Sequence, residues 1–307
     1  MNITRSNQAP LSLYLYGTAA NGDVSHTIIE EVSTIIAPHL SRCRHIQFES
    51  NSVQVYRLFC HPLQLPNLQS LVVTVHQSQY LPIYTLDLTF ATQLRHLIMS
   101  TIHYTRLFAL ALRLGSDLLL TRLDLQGYFE YRSVVAILEN CPHLEYLRWE
   151  ELGIPEIKLE PSLPLMESLH EVVLRGIRPL YVLSSLNAPQ LSRLQFNYFK
   201  RIEAINYTLP HPLSDPSQFP MLRTLVLQGR CDTVRPEDET IARFVEAHPH
   251  LESLAVPVQL TERMKRAIGS VLSLQTVSAL PSPREFEDHL ARWSKGTTNA
   301  QSLMHAE

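Results

Sequence analysis

Apolar residues recur along this chain in a fixed frame, with one at position 0, a second three residues on and a third five residues on. The frame runs Leu68-Leu71-Val73, Leu94-Leu97-Met99, Leu120-Leu123-Leu125 and Leu144-Leu147-Trp149. It continues through Leu169-Val172-Leu174, Leu191-Leu194-Phe196, Leu222-Leu225-Leu227 and Leu251-Leu254-Val256. Leu274-Val277-Ala279 closes it more weakly, and Cys43-Ile46-Phe48 precedes it. Leu13 and Leu15 fill the last two places of a still earlier unit. Positions +3 and +5 are two apart, so their side chains share one face of a strand. Position 0 turns inward beside them. Burying each large apolar side chain is worth about 1.5–3 kcal/mol. One unit cannot cover that face alone, so the units are expected to stack with their strands paired in parallel.

Successive position-0 residues from Cys43 onward are 25, 26, 26, 24, 25, 22, 31, 29 and 23 residues apart. That is the period of leucine-rich repeats, about 20–29 residues. The long step from Leu191 to Leu222 holds Pro210, Pro212, Pro216 and Pro220, which reads as an inserted surface loop. Proline recurs two places before position 0, at Pro66, Pro142, Pro189, Pro220 and Pro249. Its fixed φ and missing N–H suit the turn that delivers the chain into a strand. Glycine recurs at +7, at Gly127, Gly176 and Gly229, where a positive φ would let the chain leave the strand.

Between the strands the period becomes helical. Ile28, Val32, Ile35 and Ile36 form one apolar stripe, and Val134, Val135, Ile137 and Leu138 another. Pro236-Glu237-Asp238-Glu239 starts a helix whose apolar face is Ile241, Phe244 and Val245. Thr261 is placed to cap a helix carrying Met264, Ile268 and Val271. Ser282-Pro283-Arg284-Glu285 is a capping box, followed by Phe286, Leu290 and Trp293 on one helical face. The fold class is therefore α/β, a leucine-rich-repeat horseshoe with parallel strands on its concave face and helices on its convex face. The expected organisation is a polar lead at 1–10 and about ten to eleven irregular repeats over 11–280. A capping helix at 281–294 and a disordered tail at 295–307 complete it. No comparable cap precedes the first strand near Leu11, which suggests the remainder of a longer protein.

Composition narrows the function. The 307 residues are 45% hydrophobic and 18% charged, as in a folded chain. A net charge of −3 and the lack of a Lys/Arg run argue against nucleic acid. The N-terminus lacks a signal peptide's apolar core, and Leu107–Leu114 is too short to span a bilayer. A cytoplasmic or nuclear location with no membrane partner is expected. Cys43, Cys60, Cys141 and Cys231 form no CxxC pair, so neither a zinc knuckle nor a disulfide framework is expected. Nothing around them would activate a nucleophile. His248 and His250 flank Pro249 but bring no acidic or Cys ligand at metal spacing. Glu30-Glu31 and Glu237-Asp238-Glu239 fall on expected helices, as solvated faces or dipole partners. No catalytic residue, cofactor or metal is expected, and the chain reads as a binder rather than an enzyme.

The segments Cys141-Pro142-His143-Leu144-Glu145-Tyr146-Leu147 and His248-Pro249-His250-Leu251-Glu252-Ser253-Leu254 resemble the leucine-rich repeats of F-box proteins. The irregular unit lengths are similar to those of the F-box/leucine-rich-repeat families of mushroom-forming fungi. The resemblance covers about Leu11 to Leu280. It implies a ubiquitin-ligase receptor whose repeats hold a protein substrate and whose F-box docks a cullin adaptor. No F-box segment is seen ahead of Leu11, so adaptor docking passes to no residue here and holds only if an F-box lies upstream. The Asn or Cys usual at +8 is also replaced, by Ile102, Tyr128, Leu152, Ile177 and Phe199. A free-standing leucine-rich-repeat scaffold or inhibitor with no ligase link is the alternative.

Positions +2, +4 and +6 of each strand face away from the core, onto the expected binding face. The N-terminal strands offer His45, Gln47, Ser70, Val72, His96 and Ile98. The middle carries Arg122, Asp124, Tyr146, Arg148, Glu150, Glu171, Arg175, Arg193 and Gln195, the candidate partner-binding residues. The last strands are small and bland, with Thr224, Val226, Ser253, Ala255, Thr276 and Ser278. Arg and Tyr are favoured in binding hot spots. Arg148→Glu is expected to leave folding intact and weaken binding.

Overall fold

The computed structural model describes residues 9–17, 31, 34–50, 65–75, 84–101, 110–114, 118–127, 129, 131–150, 163, 165–176, 183, 186–198, 218–229, 238–256, 262–271 and 276–279. The chain divides into two units, Met1–Ser192 and Arg193–Glu307. In the first unit the repeat frame forms strands where the spacing predicts them. These are β1 (Leu11–Gly17), β2 (Cys43–Ser50), β3 (Ser70–Val75), β5 (His96–Thr101), β7 (Arg122–Gln126), β8 (Tyr146–Glu150) and β9 (Glu171–Arg175). Each pairs in parallel with the next, and position +3 of one strand meets +3 of its neighbour. Thus Leu71 lies opposite Leu97, Leu97 opposite Leu123, Leu123 opposite Leu147 and Leu147 opposite Val172. In the second unit β10 (Arg193–Tyr198), β11 (Thr224–Gly229), β12 (Ser253–Val256) and β13 (Thr276–Ala279) keep the same register. Parallel strands one repeat apart, in the frame of the leucines, make the chain a leucine-rich-repeat solenoid.

The core follows the frame. Leu68, Leu71, Val73, Leu94, Leu97, Met99, Leu120, Leu123 and Leu125 are fully buried, as are Leu144, Leu147 and Trp149. A fourth core place lies three residues before position 0. It holds Leu40, Leu65, Ala91, Cys141, Met166, Ala188, Phe219 and His248, all buried. The backbone explains why. The N–H of position 0 donates to the carbonyl of position −3 in turn after turn. Leu68 donates to Leu65, Leu94 to Ala91, Leu144 to Cys141, Leu191 to Ala188 and Leu251 to His248, at 3.0–3.1 Å. Position −2 is then the second residue of a β-turn, the place that favours proline because no N–H is needed there and φ is preset. The recurring prolines are this turn's chemistry.

A second set of bonds fixes one repeat on the next. The N–H groups of positions +1 and +2 converge on the carbonyl of the preceding +1 residue. Arg95 and His96 donate to Gln69, Thr121 and Arg122 to Arg95, and Glu145 and Tyr146 to Thr121, at 2.8–3.0 Å. Gly127 and Gly176 leave their strands at φ 129° and 109°, where a Cβ is disfavoured. Gly229 is the last residue of β11.

The segments between the sheet strands are only partly helical. α1 (Tyr131–Glu139) buries Val134, Val135, Ile137 and Leu138, as its stripe predicts. In the second unit α2 (Asp238–Ala247) buries Phe244 and Val245 and packs on α3 (Glu262–Ser270). The expectation of helices throughout the outer side is corrected in two repeats. There β4 (Tyr84–Leu88) and β6 (Leu110–Leu114) pair in parallel as a separate two-stranded sheet. Their sequences, YTLDL and LALRL, alternate apolar residues with others at period two, which fits a strand better than a helix. Ile28, Val32, Thr261, the five +8 residues, the proline-rich insertion at 210–216, the capping helix at 281–294 and the tail at 295–307 lie outside the described residues.

Candidate functional site

The outward residues of the first unit's sheet form three rows in strict register. The +2 row reads Ser12, His45, Ser70, His96, Arg122, Tyr146 and Glu171. The +4 row reads Tyr14, Gln47, Val72, Ile98, Asp124, Arg148 and Val173. The +6 row reads Tyr16, Glu49, Thr74, Ser100, Gln126, Glu150 and Arg175. Of the candidate residues, Arg122, Asp124, Tyr146, Arg148, Glu150, Glu171 and Arg175 thus come together on β7, β8 and β9. Arg193 and Gln195 stand on β10 in the second unit, with Arg193 exposed and Gln195 half-buried.

The middle of the face is a linked set of charges. The Arg148 guanidinium donates through Nη2 to Glu150 Oε1 at 2.7 Å and through Nε to the same oxygen at 3.2 Å. Its Nε lies 3.8 Å from Asp124 Oδ1 on the preceding strand. Arg175 Nη1 lies 3.8 Å from Glu150 Oε2. Gln126 Nε2 donates to Asp124 Oδ1 at 3.1 Å. Two carboxylates and two guanidiniums therefore neutralise one another within the cluster.

Asp124 departs from the outward-facing expectation. It is only 4% exposed, covered by its neighbours although it stands in an outward row. Burial raises its carboxyl above the ordinary value of 3.8, against the pull of Arg148 and the Gln126 hydrogen bond. Burial lowers Arg148, but Glu150 and Asp124 outweigh it and the net direction is upward. The expectation that Arg148→Glu leaves folding intact is corrected accordingly. The new carboxylate would face a buried acid whose counter-charge had been removed, and breaking a buried pair in this way is strongly destabilising.

Arg122 and Tyr146 form a second pair on these strands, outside the charge cluster. The Arg122 guanidinium carbon sits 4.3 Å from the centre of the Tyr146 ring, a cation–π stack across β7 and β8. Arg122 is exposed and Tyr146 half-buried. Burial raises the Tyr146 phenol, with a further push from Asp124. At the first strand Tyr14 and Tyr16 are 50% and 64% exposed, the most accessible aromatic surface on this face. The frame contains the signal for both, because Leu13, buried, and Leu15, half-buried, fill its inward places and so turn the intervening and following tyrosines outward.

Of the four cysteines, the described Cys43 and Cys141 are buried thiols held in the protonated form. Burial pushes the Cys141 thiol up to about 12, and Cys43 is also raised by burial despite Arg42. Cys60 and Cys231 lie outside the described residues. His248 is buried in its turn, stacked on Phe244 at 4.0 Å with its Nδ1 2.6 Å from the Phe244 carbonyl oxygen, while His250 is exposed. Among the described residues no three His, Cys, Asp or Glu side chains converge as a metal group. No helix among them is long and apolar enough to cross a membrane.

No family model and no curated protein sequence matches the chain. Among solved structures it is similar to TLR13 in a complex with ssRNA13, at 15% identity and a TM-score of 0.42. That match covers 76% of this chain and 35% of the TLR13 chain, so the chain spans about a third of that neighbour's length. A protein of Bacteroides fragilis is similar at 11% identity and a TM-score of 0.34, over 75% of this chain and 71% of the other.

Proposed function

We propose that this chain is a protein-interaction module that binds another polypeptide on the exposed sheet face of its first unit. The observation that carries the reading is the Arg122–Tyr146 stack, presented on the same face as the exposed Tyr14 and Tyr16. Aromatic and arginine side chains held by a paired sheet lose little freedom on binding, which is what makes hot spots of them. The raised thiols of Cys43 and Cys141 favour binding over nucleophilic chemistry. A finer reading follows from the Cys141–Leu147 and His248–Leu254 segments. On it, the module is the substrate-holding part of an F-box type receptor in a fungal family, with the free-standing scaffold or inhibitor as the other possibility.

The test is capture from lysate by the tagged chain, compared with Tyr14→Ala/Tyr146→Ala and with the off-face control Glu139→Gln. A protein retained by the native chain and the control, and lost with the double variant at unchanged melting temperature, supports the reading. Equal retention by all three contradicts it. A cullin adaptor in the same eluate, recovered by a chain that includes any upstream segment, supports the ligase receptor. A partner recovered without it supports the scaffold.

A further inference from the structure

Beside the neutral charge cluster on β7 to β9, the entry ends of the strands carry basic side chains with no ion-pair partner among the described residues. At the entry to β2, β5 and β7 the chain carries Arg44 and His45 on β2, Arg95 just ahead of β5 with His96 at its start, and Arg122 at the start of β7. All five are exposed. Among the described residues, Arg44, Arg95 and Arg122 have no carboxylate within ion-pair distance. Arg122 instead lies over Tyr146. The backbone holds the group in place, since Gln69 donates to the Arg44 carbonyl, Arg95 to that of Gln69, and Thr121 and Arg122 to that of Arg95. The fields of Arg122, His45 and Arg95 overlap at His96. Burial and the positive charges of Arg122, His45 and Arg95 lower its imidazole, while Glu145, one strand further on, pulls weakly the other way. Strands are spaced about 4.8 Å apart, so the run from His45 to Arg122 spans roughly 14 Å. Beside it in the +4 row stand Tyr14, exposed, and Val72 and Ile98, half-buried, with Gln47 between them.

We infer that this corner of the face takes an acidic, apolar-studded polypeptide segment lying across the strands. Its carboxylates meet Arg44, Arg95 and Arg122, and its apolar side chains rest on Val72, Ile98 and Tyr14. The inference rests on the reading that the face binds protein, and it adds the polarity and position of the partner's contact. Charge complementarity is the argument. A basic row without an ion-pair partner among the described residues, on a chain of net charge −3, attracts a local anion rather than conferring general basicity. The apolar row beside it favours a peptide over a nucleic-acid backbone, whose affinity comes mainly from phosphate charge.

The probe is a capped, fluorescently labelled peptide of about eight residues alternating glutamate and leucine, long enough in extended form to cross the run. Binding is read by anisotropy against the full chain. A lysine–leucine peptide and an oligothymidylate of equal charge serve as competitors. The expected result is saturable binding of the acidic peptide, displaced by neither competitor at the same concentration. Arg44→Glu/Arg95→Glu should weaken it tenfold or more at unchanged melting temperature, since neither guanidinium has an ion-pair partner among the described residues. Val72→Ser/Ile98→Ser should weaken it as well. Equal affinity in the charge-reversed variant overturns the inference, and so does displacement by the oligothymidylate, which would assign the row to nucleic acid. If the acidic peptide fails while lysate capture remains sensitive to Tyr14→Ala/Tyr146→Ala, the polarity assignment falls and the protein-binding reading stands. If both fail, both fall.

Discussion

At the residue scale, two buried positions bear on the stability of this chain in different ways. Leu123 is fully buried between Leu97 and Leu147 in the ladder of +3 leucines. Leu123→Ala removes its packing from both neighbours and is expected to cost about 2–5 kcal/mol. Urea unfolding checks this, and a loss no larger than that of the exposed Glu139→Gln would contradict the register. His248 fills a −3 core place with a titratable ring, and burial holds its imidazole below the ordinary 6.5. The carbonyls of Phe244 and Phe219 pull the other way and do not reverse the shift. Above about pH 6.5 the ring is neutral in both folded and unfolded chains, and its full contribution is present. As pH falls below 6.5 the unfolded chain takes up the proton first, so stability declines until the folded value is passed. Native protein should therefore lose more stability than His248→Leu between pH 7.5 and 5.5. Equal losses would show that the buried ring does not carry the effect.

At the element scale, the strands were legible and the segments joining them were only partly so. Positions 0, +3 and +5 sit in an invariant frame, and strand periodicity converts that frame directly into burial. The −3 place is equally periodic, but its occupants range from Ala91 to Phe219 and His248, so composition hides what the turn's hydrogen bond reveals. β4 and β6 are short apolar runs, a length at which strand and helix patterns are hard to separate, and their pairing with each other decides between them. The glycine exits are testable. Gly127→Ala and Gly176→Ala each place a Cβ on a residue at positive φ and are expected to cost more than about 1 kcal/mol, read by thermal melting. A neutral outcome at both would mean that the exits relax without strain.

At the scale of the whole molecule, the repeats do two separable jobs in the first unit. Their inward rows make a continuous apolar core, and their outward rows make a surface that is self-neutralised in one part and uncompensated in another. The row assignment was legible, because one register carries every strand of the first unit's main sheet. What each outward side chain does was not. Whether Asp124 is covered depends on the reach of Gln126 and Arg148 over it, and whether Arg122 is paired depends on which ring stands opposite. Those are cross-strand relations that a single-strand pattern does not contain.

The most direct test of the central claim is hydroxyl-radical footprinting of the free chain and of the captured complex, read residue by residue in a mass spectrometer. Tyr14 and Tyr16 report on the sheet face, while Ile35 and Phe90 are comparably accessible reporters of the same unit outside the sheet strands. The account predicts that a bound partner protects Tyr14 and Tyr16 and leaves Ile35 and Phe90 labelled as before. Protection confined to Ile35 or Phe90, with both tyrosines still labelled, would contradict it and move the binding surface off the sheet.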